Sequence, residues 1–206
     1  GGSLSFTDDT PQITVHASDA KVPTLETSDA FLHHGNAVVD TQPQAVQDEI
    51  SSHQLNTSTD SVTVGMAGLF TVSGENMGAD GGSAAPTWSY GLSVGNNGAT
   101  ELTTTSGSAV SLVLETSDTT FRVDGHNVTV SAGEVAGVDA SGHLAFTIGV
   151  DGSANVTLTQ YAALEQSGQG TGAVSLSQGD LSGLVTLTGT ATVTDGDGDP
   201  ASSSAT

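Results

Sequence analysis

The sequence predicts an all-β chain folded as a β-sandwich, and three observations carry that expectation. Apolar residues recur at every second position over runs of four to eight residues, the period of half-buried strands. Asp-Gly pairs stand between those runs, where tight hairpin turns need residues that accept positive φ. Hydrophobic content is a lean 35%, yet Val, Leu, Ile and Phe recur along the whole length, so the chain can form a core and does not read as disordered.

Taken in order, Ile13 and Val15 alternate with Thr14 and His16 as a first strand. Val62-Thr63-Val64 leads on to the run Leu69-Phe70-Thr71-Val72, and Trp88, Tyr90, Leu92 and Val94 make one same-face row. Val110, Leu112 and Leu114 face one way. Phe121-Arg122-Val123 and Val128-Thr129-Val130 flank a turn at Asp124-Gly125. Phe146, Ile148 and Val150 form a further row, and Val156-Thr157-Leu158 follows the turn Asp151-Gly152. Val185, Leu187, Gly189, Ala191 and Val193 lie opposite Thr186, Thr188, Thr190, Thr192 and Thr194, a long strand with a threonine outer face. Further turns are expected at Asp80-Gly81 and Asp195-Gly196. Gln44 to Leu55 is expected to hold a turn or two of helix, and Gln160 to Gln166 one short helical turn crossing between sheets. Segments 24–60 and 165–183, polar and rich in Gly, Ser, Asp and Gln, read as long loops or edge excursions. No internal repeat of fixed period is present, and the glycine-aspartate nonapeptide of calcium β-rolls is missing. At roughly 150 residues per domain the length allows one domain or two. The reading is an entry linker at 1–10 and a single domain over 11–206, with an irregular excursion at about 24–60.

Charge excludes whole classes of partner. Twenty-three acidic residues stand against two basic ones, Lys21 and Arg122, for a formal net charge of -21. Nucleic acid and anionic membrane surfaces are repelled by such a chain. The absence of cysteine removes disulfides and thiolate zinc. No apolar run approaches the roughly 18 residues that span a bilayer, so membrane insertion is not expected. Residues 1–20 lack the basic start and apolar centre of a secretory signal. The chain reads as a piece of something longer. Its unpaired charge destabilises a compact state unless counter-ions bind.

The sharpest local feature is Thr194-Asp195-Gly196-Asp197-Gly198-Asp199, three carboxylates at alternate positions separated by glycines. Hard oxygen ligands so spaced can converge on one cation, because glycine lets the backbone curl; calcium is the natural occupant. An EF-hand is not supported, since Pro200 follows and no glutamate stands at the twelfth loop position. The plainer alternative is a solvated acidic hairpin turn. A second acidic pair, Asp8-Asp9, precedes the first strand. In an immunoglobulin-like, Greek-key sandwich the last hairpin turn and the entry of the first strand share a pole. Asp8 or Asp9 is therefore expected to approach the Asp195 to Asp199 turn.

These segments together carry a resemblance. Ser5 to Ile13 (Ser-Phe-Thr-Asp-Asp-Thr-Pro-Gln-Ile), Leu69 to Val72 followed by Gly78-Ala79-Asp80-Gly81, and Val110 to Leu114 open the series. Phe146-Thr147-Ile148 with Asn155 to Tyr161, and Thr192 to Asp199, complete it. In that order they resemble one module of the giant repeats-in-toxin (RTX) adhesins of bacteria. The resemblance implies a very long surface protein exported by type I secretion, with tandem sandwich modules that bind calcium at their joints and extend a ligand-binding tip. It assigns the acidic turn to Asp195, Asp197 and Asp199 and the linker aspartates to Asp8 and Asp9. Two features depart from it: Pro200 stands where Thr or another strand residue is usual, and 24–60, with His33-His34 and Asn36, is longer than a spacer needs. The final strand also reads as unfinished at Thr206.

Other chemistries fit poorly. Six histidines are scattered, and His33-His34 point to opposite faces if extended, unsuited to one zinc. No Gly-x-Ser-x-Gly elbow occurs, and 4% aromatic content leaves no lining for a glycosidase cleft. The threonine row suits any exposed strand face, and the Asn-x-Ser/Thr triplets at Asn56, Asn127 and Asn155 are expected by chance in so Ser/Thr-rich a chain. The expected function is non-enzymatic: a calcium-rigidified structural module of an extracellular bacterial surface adhesin, serving adhesion and biofilm formation. Its partners would be adjacent modules of the same chain, with host or microbial surface ligands reached through neighbouring domains. The alternative is a ligand-binding module for a sugar or protein, built from the 24–60 excursion and the Trp88 to Val94 strand.

Overall fold

The computed structural model describes residues 10–28, 59–79, 81–82, 85–104, 107–123, 125–166, 175–177 and 181–206. In chain order the strands are β1 (Gln12–Ala17), β2 (Glu26–Ser28), β3 (Asp60–Gly65), β4 (Phe70–Asn76), β5 (Thr87–Val94), β6 (Ala99–Thr104), β7 (Ala109–Leu114) and β8 (Thr119–Val123). There follow β9 (His126–Val130), β10 (Val135–Asp139), β11 (Leu144–Val150), β12 (Asn155–Gln160), β13 (Leu164–Gln166), β14 (Ser175–Ser177), β15 (Val185–Thr194) and β16 (Pro200–Ala205). Helix is confined, among the described residues, to single turns at Ala67–Leu69 and Asn96–Gly98. No described helix is long and apolar enough to cross a membrane.

The fold is an all-β sandwich of antiparallel sheets, as the alternation predicts. One layer is a seven-stranded sheet in the order β13-β6-β7-β10-β11-β12-β3; β16-β15-β5 forms a three-stranded sheet. The two face each other because each presents an apolar row. Leu112, Val135, Phe146, Ile148 and Leu158 meet Leu92, Val94, Val185 and Leu187 in the main core. Phe146 and Leu158 are wholly buried, and each such side chain contributes about 1.5–3 kcal/mol. The hairpin β8–β9 covers the outer side of β10 and β11 through Val130, Ala136 and Leu144. Val135 and Ala136, neighbours on β10, are therefore both buried, which erases the alternation there.

A ribbon of β1 and β4 packs beside the three-stranded sheet, and β2 pairs with β14. Ile13, Val15 and Phe70 pack on the Ala191–Val193 end of β15, beside Trp88 and Tyr90. The register explains which residues are small: Tyr90 lies opposite Gly189 and Trp88 opposite Ala191. A methyl group at Gly189 would overlap the Phe70 ring. Phe70 sits 5.9 Å from Tyr90 and 6.3 Å from Trp88, and the Trp88 and Tyr90 rings are parallel at 5.9 Å. The Val15 N–H donates to Ser203 Oγ at 3.0 Å, and Ala17 and Thr206 line one cavity. Thus β1 runs beside β16 in the same direction, and its Gln12 end lies toward the turn between β15 and β16.

Several sequence expectations need correction. Gln160–Gln166 is not a helical turn. Gln160 ends β12, buried with its Oε1 accepting from Thr27 Oγ1 at 2.7 Å and its Nε2 donating to the Ala162 carbonyl, and Leu164–Gln166 pairs with β6. Leu25 and Thr27 near one edge of the 24–60 excursion and Leu181 in 165–183 are buried, and these segments contribute β2 and β14. The Asp151-Gly152 turn is a four-residue loop whose positive φ falls on Ala154 (61°). The Asp124-Gly125 hairpin has its positive φ at Gly125, and Asp124 is outside the described residues. Pro200 opens a strand, which runs to Ala205, a position proline tolerates. The 44–55 helix, His33-His34, Asn36 and Asp80 also lie outside the described residues.

Candidate metal site

The inward row of β15 runs Val185, Leu187, Gly189, Ala191, Val193, and a two-residue period puts Asp195 next on that face. A carboxylate is thereby carried into the end of the core, where Asp195 is only 7% exposed. The chain turns back at once. The Asp195 N–H donates to the Asp199 carbonyl at 3.1 Å. Asp195 Oδ1 accepts from the N–H groups of Gly198 (3.1 Å) and Asp199 (2.8 Å). Gly198, at φ 106°, supplies the left-handed step that closes the curl.

Segment 81–82, between β4 and β5, lies against the turn. Gly82 forms a bridge to Asp195, and a Cβ on Gly82 would come within 2.6 Å of the Thr194 carbonyl oxygen and 2.8 Å of Asp195 Cα. Only glycine permits that approach. Sequence reading took Asp80-Gly81 as an ordinary turn and missed Gly82; the paired glycines at 81–82 were the available signal.

The second oxygen of Asp195 is the notable one. Oδ2 is buried and accepts no hydrogen bond. Hydrogen bonding with the Asp197 carboxyl is the foremost influence holding Asp195 below the usual carboxylate range; burial opposes it, and the N–H groups of Asp199, Gly198 and Asp197 reinforce it. That carboxyl–carboxyl bond requires a proton on one partner, because an ionised carboxylate only accepts. With both ionised that bond is lost and like charges adjoin, next to a buried Oδ2. A cation removes both costs together.

One oxygen each from Asp195, Asp197 and Asp199 falls within 4.8 Å of the others, the one such trio among the described residues. Oxygens on opposite sides of a calcium ion, each at 2.3–2.6 Å, stand about 4.6–5.2 Å apart. By distance and donor type the three aspartates could hold a cation of the hard, oxygen-seeking kind. Burial grades the trio: Asp195 is buried, Asp199 half-buried and Asp197 exposed, so the ion would stand at the rim with coordination positions open to outside ligands. Asp8 and Asp9 lie outside the described residues. The direction of β1 puts Thr10 and Pro11, just after them, toward the pole that carries this turn.

A family model described as a domain of unknown function (DUF5801) matches residues 36–206. No curated protein and no solved structure matches the chain.

Proposed function

We propose, for a chain that belongs to the DUF5801 family, that it is a non-enzymatic, calcium-rigidified structural module of an RTX-like bacterial surface adhesin. The observation that carries the reading is Asp195 Oδ2, a buried carboxylate oxygen with no hydrogen bond, in a turn with two further aspartates. Such a turn suits a place where calcium is millimolar, as outside the cell, since extracellular modules bind in that range. The ion supplies positive charge to a chain of net charge -21. It fastens the β15–β16 turn beside the entry of β1, where Asp8 or Asp9, or an adjacent module, would complete the coordination. Without calcium the carboxylates repel and the joint swings; with it the joint stiffens and spaces ligand-binding domains for adhesion and biofilm formation.

Melting of the full chain in calcium and in chelator tests the reading. At hundredfold excess over Kd, binding to the folded state alone raises Tm by roughly 5–10 °C. Asp197→Ala should abolish most of that rise and leave Tm in chelator unchanged or higher, because it removes like charge from the turn. Equal melting temperatures in calcium and chelator would refute it.

A further inference from the structure

The two layers do not close completely. Between β5, β11, β12 and β15 lies a cavity of about 330 Å³, walled by Leu92, Ile148, Val156, Leu158, Val185 and Leu187. These side chains also build the main core, so this side of the cavity is fixed by paired strands, while Ser18, Ala20, Val22 and Leu181, outside the strands, line the rest. Met66, Leu69 and Phe70, where β3 hands over to β4, close another side. The cavity opens at the segment after β1. There Ala17, Ala20 and Val22 are exposed, and Val22, at 42%, is one of two large hydrophobic residues so exposed among those described.

The mouth is held in shape. The Ser18 N–H donates to the Leu69 carbonyl at 2.8 Å, Ser18 Oγ donates to the Gly68 carbonyl at 2.9 Å, and the Ala20 N–H donates to Ser18 Oγ at 3.1 Å. Among the described lining the only polar side chains are those of Ser18, Ser182, Thr186 and Thr206, and no described lining residue has a charged side chain. Away from the mouth the aliphatic walls offer water no side-chain partners, and they gain dispersion contacts when something apolar enters. Hydrocarbon suits the interior, and a hydrogen-bonding head suits the hydroxyls. A chain of net charge -21 disfavours an anionic head. The volume equals about eleven waters' share of the liquid, which corresponds to a chain of about ten carbons.

We propose that this cavity binds the hydrocarbon chain of a neutral single-chain amphiphile, with its polar head among the hydroxyls at the mouth. The site is separate from the aspartate turn and independent of calcium. Its test is a titration of the full chain with decanol, followed by the methyl resonances of Leu92, Ile148, Leu158 and Leu187 and by Tm. The expected result is saturable shifts at one site and a raised Tm, with decanoate binding more weakly. Ala20→Trp, an exposed change at the mouth, and Leu187→Phe, which fills the interior, should each remove saturable binding while leaving the response to calcium intact. Shifts that grow without saturating, or that saturate equally in both variants, would overturn the site. Decanoate binding as tightly as decanol would overturn the neutral head.

Discussion

The loop between β11 and β12 and the turn between β15 and β16 both open on an aspartate, and they settle its charge in opposite ways. Asp151 is satisfied entirely from within its own loop. Its Oδ1 accepts from the N–H groups of Ser153 and Asn155, each at 2.8 Å, and its Oδ2 from Asn155 Nδ2 at 2.8 Å. Asp139, the last residue of β10, follows the same plan with Ser141 and His143. Asp195 satisfies only Oδ1, buries Oδ2 and brings Asp197 and Asp199 alongside. An aspartate in a turn is thus no sign of a metal where the chain supplies every donor. It becomes one where the chain withholds a donor and adds like charge.

The largest effect should come from Asp195→Asn. It leaves Oδ1 in place and gives the turn an N–H donor toward Asp197, so Tm in chelator should hold or rise while the calcium-dependent rise of roughly 5–10 °C disappears. Retention of that rise would erase the distinction between the two turns. Next is Gly82→Ala, whose methyl group cannot fit against the backbone at Thr194 and Asp195. A forced backbone shift of this kind costs about 1–3 kcal/mol, and calcium titration by calorimetry should show weakened affinity as well. A smaller loss, a few degrees in Tm, is expected from Asp151→Ala, and it should be the same in calcium and in chelator.

The smallest effect is in acid. Hydrogen bonds from the Asn155 side chain and from the N–H groups of Asn155 and Ser153 hold the Asp151 pKa below the ordinary 3.8. For Asp139, burial pushes the pKa up but is outweighed by hydrogen bonds from His143 and Ser141. A depressed pKa in the folded state stabilises above the ordinary value and loses that stabilisation as pH falls through the folded one. Measured as the difference in Tm between the chain and Asp151→Asn in chelator, which cancels the general relief of like charge, the advantage of Asp151 should shrink below about pH 4. A difference that grows on acidification through that window would reverse the assigned sign.

Much of the fold was legible because alternation and burial coincide. The inward rows of β5 and β15, the β8–β9 hairpin and the edges of β1 all follow from spacing alone. Expectation failed where tertiary contacts overrode local pattern. Ala162-Ala163-Leu164-Glu165 has helical composition, yet Leu164 is buried where β13 pairs with β6 at the edge of the seven-stranded sheet and Gln160 is tied to Thr27, which fixes the segment as extended. Spacing does not show β10, whose Ala136 is buried by the β8–β9 hairpin, and it leaves the final strand, β16, without bounds, because Pro-Ala-Ser-Ser-Ser-Ala has little strand propensity and depends on pairing with β15. The aspartate trio was visible in spacing. What separates it from the Asp151 loop, the inward phase of Asp195 and the approach of Gly82, exists only once β15 has been paired and packed.

The central claim is that an ion sits on Asp195 Oδ2. Crystals grown in calcium, measured for anomalous scattering, test it directly. The account predicts a calcium peak within about 2.3–2.6 Å of Asp195 Oδ2 and of oxygens from Asp197 and Asp199. A turn with no anomalous peak in millimolar calcium, its Oδ2 meeting water or a protonated Asp197 instead, would contradict it.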